Sequence, residues 1–229
     1  PEQLEMARAL MQEYDDVRLQ THLSENLAEI ERAMELYPER KNYTDIYDYY
    51  GLLESRAIYG HVIHMSEGEL QRFHETGAKI AHCPTSNFFI GSGLFDIEST
   101  KQKARPITVG LGTDVGGGTS FSMLQTMQEA YKMAQMRGIS INAVQGFYLA
   151  TLGSAQSLGI EDRVGTFAVG HDADMIVLDP YATPLLNLRT QVADTLQEIL
   201  FAMMICADDR AIEATYIAGE EVYERSYVT

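Results

Sequence analysis

Thr21-His-Leu-Ser-Glu-Asn is a short apolar run that ends in a metal-competent side chain and then turns, and Gly110-Leu-Gly-Thr-Asp-Val repeats the arrangement. Both patterns put the polar group, His22 or Asp114, at the carboxyl end of a strand, where parallel barrels keep their chemistry. Imidazole plus carboxylate suits a hydrolytic divalent metal such as zinc. Glu25, three residues beyond His22, is placed to move protons for a water activated there. These residues predict metal-dependent hydrolysis, with only part of the site in this chain.

Outward from these two stretches, apolar strand patterns alternate with amphipathic helices, the signature of βα units and a parallel sheet. Strands are expected at 17–23, 57–63, 79–83 and 107–113. Helices are expected at 2–13, 26–36, 44–54 and near 95–104, with another opened by the Ser66/Glu69 capping box and closed near Gly77. Two long helices, 119–137 and 140–158, follow, separated at Gly138 and ended at Gly159. The methionines of the first (Met123, Met127, Met133, Met136) read as core packing. Beyond 164 the pattern changes to short antiparallel strands at 164–170 and 173–179 and a hairpin over 213–223. The expected division is therefore a barrel portion over 1–163 and a small β portion with a helix over 164–229. Four strand–helix units are half of the eight that a (β/α)8 barrel needs.

The chain has 229 residues, 45% of them hydrophobic, with 17 basic against 33 acidic side chains and a net charge of -16. Such acidity repels phosphate backbones and anionic surfaces, which argues against nucleic acid and membrane as partners. No apolar run approaches the ~20 residues of a spanning helix. Two cysteines, Cys83 and Cys206, form neither a disulfide framework nor a Cys-x-x-Cys pair, which fits a reducing cytoplasm. There is no Lys-Ser/Thr after the glycines at 116–118, no G-x-S-x-G elbow and no credible Cys–His dyad, so phosphate-loop and acyl-enzyme schemes fail.

Among the remaining candidates, His22 is either a metal ligand or a hydrogen-bonded strand-end residue, and Asp114 either a ligand or part of a plain turn. His61 and His64 cannot both serve one ion from a regular strand, because positions i and i+3 face opposite sides. His61, late in its strand, is favoured for the site, and His64 reads as a loop or capping residue. His82 could touch substrate or hydrogen-bond neighbouring loops, while Cys83 points the other way and Pro84 takes the chain out of the sheet. His74 and His171 read as solvated.

With their order and spacing assembled, the chain resembles the amidohydrolase superfamily, and within it the guanine deaminase branch. The markers are Thr21-His-Leu-Ser-Glu-Asn, Leu36-Tyr-Pro, Lys41-Asn-Tyr-Thr, Ala81-His-Cys-Pro-Thr-Ser-Asn, Gly110-Leu-Gly-Thr-Asp-Val, Ala150-Thr-Leu-Gly and Asp208-Asp-Arg-Ala-Ile-Glu. The resemblance implies an α/β fold comprising strands five to eight of a metal-dependent (β/α)8 barrel followed by part of a small β-sandwich. It also implies zinc-dependent hydrolysis of guanine to xanthine and ammonia, with one zinc ion (iron being the alternative) held by His22 and Asp114. Glu25 would shuttle protons, His61 would steady the attacking hydroxide or the substrate, and Asp114 would help orient or deprotonate the water. Further implications are a small purine substrate and a cytoplasmic homodimer. The family's first-strand His-x-His is absent from these residues, so the expectation is a carboxyl-terminal fragment, inactive alone. The competing expectations are another amidohydrolase, such as a chlorohydrolase or another aminopurine or pyrimidine deaminase, and a half-barrel that serves only in assembly.

Overall fold

The computed structural model describes residues 1–226. Helix α1 (Glu2–Glu13) leads into β1 (Leu19–Leu23). Helices α2 (Leu27–Leu36) and α3 (Tyr43–Tyr49) come before β2 (Ala57–His61). Then follow α4 (Glu67–Thr76), β3 (Lys79–His82), α5 (Pro84–Phe89), α6 (Ile97–Thr100) and β4 (Val109–Leu111). The four strands lie in sequence order in one parallel sheet. Its register aligns His22, Gly60, Ala81 and Gly110 in one row, and Tyr59, Ile80 and Val109 in a neighbouring row on the opposite face.

β2 is buried along its whole length, the mark of a strand covered on both faces. Tyr59 anchors the core, its ring edge-on to Tyr47 and Phe73 at centroid distances of 5.2 and 5.3 Å. Helix entry is set locally. Asn26 with Glu29 and Ser66 with Glu69 each form a complete capping box, satisfying donors that a helix start leaves bare. Arg56 ties α1 to the sheet by donating to the carbonyls of Met11 and Tyr14 at 2.8 and 3.1 Å.

The second half contains α7 (Met123–Met136), α8 (Ala143–Ala150), α9 (Leu152–Leu158), β5 (Met175–Leu178), α10 (Pro184–Thr190), α11 (Leu196–Cys206), β6 (Ile212–Ile217) and β7 (Glu220–Glu224). The last three strands form an antiparallel sheet in the order β5-β6-β7. α11 buries Ala202, Met203 and Met204 and packs on α7 and α8.

Several local expectations change. The helix near 95–104 shrinks to the single turn of α6, and the buried Arg105, beyond its end, donates back to the carbonyl of Ser99 within it. The long helix over 140–158 breaks at Thr151, whose φ of -119° and ψ of -95° leave the helical region. Residues 164–170 form no strand, since none of their backbone groups pairs in a sheet, and Phe167 and Val169 stand exposed. Of the α7 methionines, Met127 and Met133 are buried, but Met136 at the helix end is exposed. The exit at Pro84 is itself a helix, α5, because proline is well suited to the first helical position, where no N–H is needed.

Candidate active site

The strand ends of β1, β2 and β4 bring His22, Glu25, His61 and Asp114 together. His22 Nε2 lies 3.5 Å from Asp114 Oδ1. His61 Nε2 lies 3.6 Å from Asp114 Oδ2 and 3.7 Å from Glu25 Oε2. The two imidazoles meet edge to face with centroids 4.8 Å apart. Gly60 permits this, because a Cβ there would come within 3.2 Å of His22 Cδ2.

Strand alternation alone would keep the two rings apart, since His61 pairs in register with Leu23, on the face opposite His22. The backbone resolves this. His61 and Val62 adopt left-handed φ values of 69° and 50°, Ser24 has 51° and Asp114 48°. Such conformations are uncommon outside glycine and cost on the order of 1–3 kcal/mol each. Four of the five left-handed non-glycine residues among those described thus stand at the ends of the strands that carry the cluster.

The carboxylate of Glu25 is held from one side. Ser92 donates its hydroxyl to Glu25 Oε1 at 2.7 Å, and the Ser92 carbonyl pairs with His64 Nε2 at 2.9 Å. His64 therefore fixes a loop rather than joining the cluster. His61 Nδ1 lies 2.8 Å from Asn87 Oδ1, and Thr85 Oγ1 ties the start of α5 to the carbonyl of Thr113 at 3.1 Å.

Cys83, expected to serve packing, faces the site, whereas His82 is buried away from it. Cys83 falls with His61 and Asp114, their donor atoms all within 4.8 Å of one another. The thiol also bonds the Ala81 carbonyl. Burial, then the charge of Asp114, pushes its pKa up to about 12, so it is a protonated thiol. His82 turns instead to Phe95, stacked at 4.5 Å. Burial, then repulsion from His61, lowers its pKa to about 3. Alternation holds to this point: Cys83 shares the face of Ala81, both lying within 4 Å of where a Cβ on Gly112 would stand, while His82 shares the face of the buried Ile80. His74 and His171 bond the Pro106 carbonyl and the Thr166 hydroxyl respectively.

The donor set suits a divalent metal. Two ligands each about 2.1 Å from a tetrahedral ion stand about 3.4 Å apart, close to the His22–Asp114 separation and too long for a good direct hydrogen bond. His61 Nε2 is buried with no hydrogen-bond partner, a state that calls for an occupant. His22, Glu25 and His61 also form a compact donor group. A cleft of about 390 Å³ has His22, Cys83 and Asp114 in its wall.

Asn87 and Ser92 escaped the sequence reading. The signals were present: a proline opening a helix three residues before Asn87, and a serine flanked by glycines at 91 and 93.

Residues 1–222 match the amidohydrolase family. The chain is 47% identical over 226 residues to a guanine deaminase of Escherichia coli (strain K12), covering 99% of this chain and 51% of that protein. A solved structure of E. coli guanine deaminase superposes with a TM-score of 0.96 at 46% identity, over 99% of this chain and 53% of that one. A guanine deaminase from C. acetobutylicum with guanine bound in its active site gives 0.84 at 30%, over 96% and 52%. An adenosine deaminase from Xanthomonas campestris with bound zinc gives 0.83 at 25%, over 95% and 48%. The chain spans about half the length of the relatives it matches. No described helix is long and apolar enough to cross a membrane. With a parallel sheet whose strand ends carry a His, Glu, His and Asp donor set, and a family match over nearly its whole length, the chain belongs to the amidohydrolase family.

Proposed function

We propose that the whole protein to which these residues belong hydrolyses guanine to xanthine and ammonia with a divalent metal, zinc first. The carrying observation is the convergence of His22, Glu25, His61 and Asp114 from three strand ends, with Nε2–carboxylate separations of 3.5–3.7 Å. The guanine deaminase relatives, one with guanine bound, support the substrate, and the zinc-bound neighbour supports the metal. We assign β1–β4 and their helices to strands five to eight of a (β/α)8 barrel, and β5–β7 to part of a small β-sandwich. Two protein ligands are fewer than the three a catalytic zinc usually takes, so the activity is assigned to the whole protein.

In this reading His22 and Asp114 hold the ion. Zinc, when bound, lowers the pKa of a coordinated water toward ~7 and so supplies a nucleophile at neutral pH. Glu25 takes one proton from the attacking water at Oε2, the oxygen left free by the Ser92 hydroxyl, and delivers it to the purine ring nitrogen. Once the new C–O bond has formed it passes the oxygen's second proton to the amine, which leaves as ammonia as the C–N bond breaks. His61 Nε2 steadies the incoming oxygen, and Asp114 orients it. His82 is neutral and stacked on Phe95, so any contact it makes with substrate is a hydrogen bond, not an ion pair.

The test is ammonia release from guanine, adenosine, other aminopurines and chlorinated triazines by the zinc-loaded whole protein. Guanine should be turned over with the highest kcat/KM. Preference for another member of the panel by tenfold or more would overturn the assignment.

A further inference from the structure

His61 is wholly buried, and its two ring nitrogens have different surroundings. Nε2 faces the carboxylates of Glu25 and Asp114 and lacks a hydrogen-bond partner. Nδ1 lies 2.8 Å from the carboxamide oxygen of Asn87, which is itself 1% exposed. Asn87 is not free to wander. Its N–H donates to the Cys83 carbonyl and its own carbonyl accepts from Ser92 N–H, both at 3.0 Å. The Thr85 hydroxyl pins the same helix to the end of β4. A carboxamide oxygen has no proton to give, so with the amide in this orientation, its Nδ2 buried without a partner, the proton of His61 resides on Nδ1.

We propose that Asn87 is a positioning residue that fixes His61 as the Nδ1–H tautomer and turns the lone pair of Nε2 toward the cluster. Nε2 is then the one ring atom that can accept a hydrogen bond from the attacking oxygen, and also the one atom that can take up a second proton. With the opposite orientation of the amide, Nδ2 would donate to Nδ1 and the proton would lie on Nε2, where the ring could only donate. Asn87 thereby decides whether His61 enters the reaction as acceptor or donor, without touching substrate. The kinetic consequence rests on the deaminase reading; the tautomer does not.

The experiment is long-range 15N–1H NMR of the histidine-labelled whole protein, with and without zinc, together with Asn87→Asp and Asn87→Leu. The wild type should show the Nδ1–H form of His61. Asn87→Asp keeps the acceptor and should keep both that tautomer and a kcat within a few-fold. Asn87→Leu removes the acceptor without a large change in volume. It should mix the tautomers and lower kcat about tenfold with KM little changed, as loss of one buried hydrogen bond implies. An Nε2–H form in the wild type overturns the proposal, as does an unaltered tautomer in a folded Asn87→Leu. If guanine is not a substrate, the NMR arm still decides the point.

Discussion

At neutral pH the imidazole of His82 carries no charge, and the fold depends on its staying so. The residue is 2% exposed and stacked on Phe95. Burial, then the neighbouring His61, depresses its pKa from the ordinary 6.5 to about 3. In the unfolded chain this histidine is protonated below its ordinary pKa. In the folded chain it resists until about pH 3. Between those limits the unfolded state holds the extra proton, so acid favours unfolding, and the stability present above pH 6.5 drains away as the pH falls. Each pH unit crossed costs roughly 1.4 kcal/mol. Lowering the pH from 7 to about 4.5 should therefore remove roughly 2–3 kcal/mol through this residue alone, a large share of a domain's ~5–15 kcal/mol. The measurement is urea unfolding of metal-stripped protein at several pH values, for the wild type and for His82→Leu, which fills the same apolar place and cannot titrate. Contributions from carboxylates are common to both proteins and cancel in the difference. The variant should lose stability less steeply with acid, by that amount. Two parallel acid limbs would refute the account of a buried, neutral His82.

Other perturbations follow from the same geometry. Glu25→Gln should lower kcat for guanine by about 10²–10⁴-fold, the usual worth of a positioned proton carrier, while zinc content by elemental analysis stays unchanged. His22→Ala or Asp114→Ala should instead lose bound zinc, and retention of full stoichiometry by both would remove them as ligands. Ser92→Ala deletes a short bond to a carboxylate, worth about 1.5–3 kcal/mol. Expressed in the transition state, that is roughly a ten- to hundred-fold fall in kcat, and an unchanged kcat would show that Glu25 needs no such support. Gly110→Ala would place a Cβ 2.8 Å from the backbone Cα of Ser154 in α9. Overpacking of this kind costs about 1–3 kcal/mol, read as a lower urea midpoint, and an unshifted midpoint would mean α9 can yield.

The parallel sheet and its strand-end chemistry were legible because both are written in local pattern. Apolar runs recur between helical stretches, and His22 and Asp114 each close such a run before a turn. Ser66 with Glu69 announced a helix start that the structure contains. What escaped depends on tertiary geometry. Pro84 was read as an exit from the sheet, yet the same residue starts α5 and so delivers Asn87 to His61. Period-two alternation separates Cys83 from His82 as the register does, but it does not say which face meets the site. The face shared by His22, Ala81 and Cys83 does, and the Ile80 face that carries His82 turns to the core. Residues 164–170 carry a strand-like pattern, but a strand needs a neighbour with which to share hydrogen bonds, and none of the described strands pairs with them.

The left-handed residues explain why the cluster sits where it does. Regular strands would leave His61 on the Leu23 face, away from His22. Reaching one centre from both faces requires the chain to twist sharply at the strand ends, and Ser24, His61, Val62 and Asp114 all do so without glycine's freedom. Val62 is the costliest of them, because a β-branched side chain crowds that conformation. The strain is held by rigid surroundings. Val62 N–H donates to the Leu23 carbonyl, and Ile63 and His64 N–H both donate to that of Ser24. These three bonds continue the β1–β2 connection past the point where regular pairing ends, and Val62 itself is buried. The histidine and carboxylate positions are thus set by backbone geometry before any ligand arrives. That preorganisation lets short, otherwise unremarkable strands present four polar groups to one point.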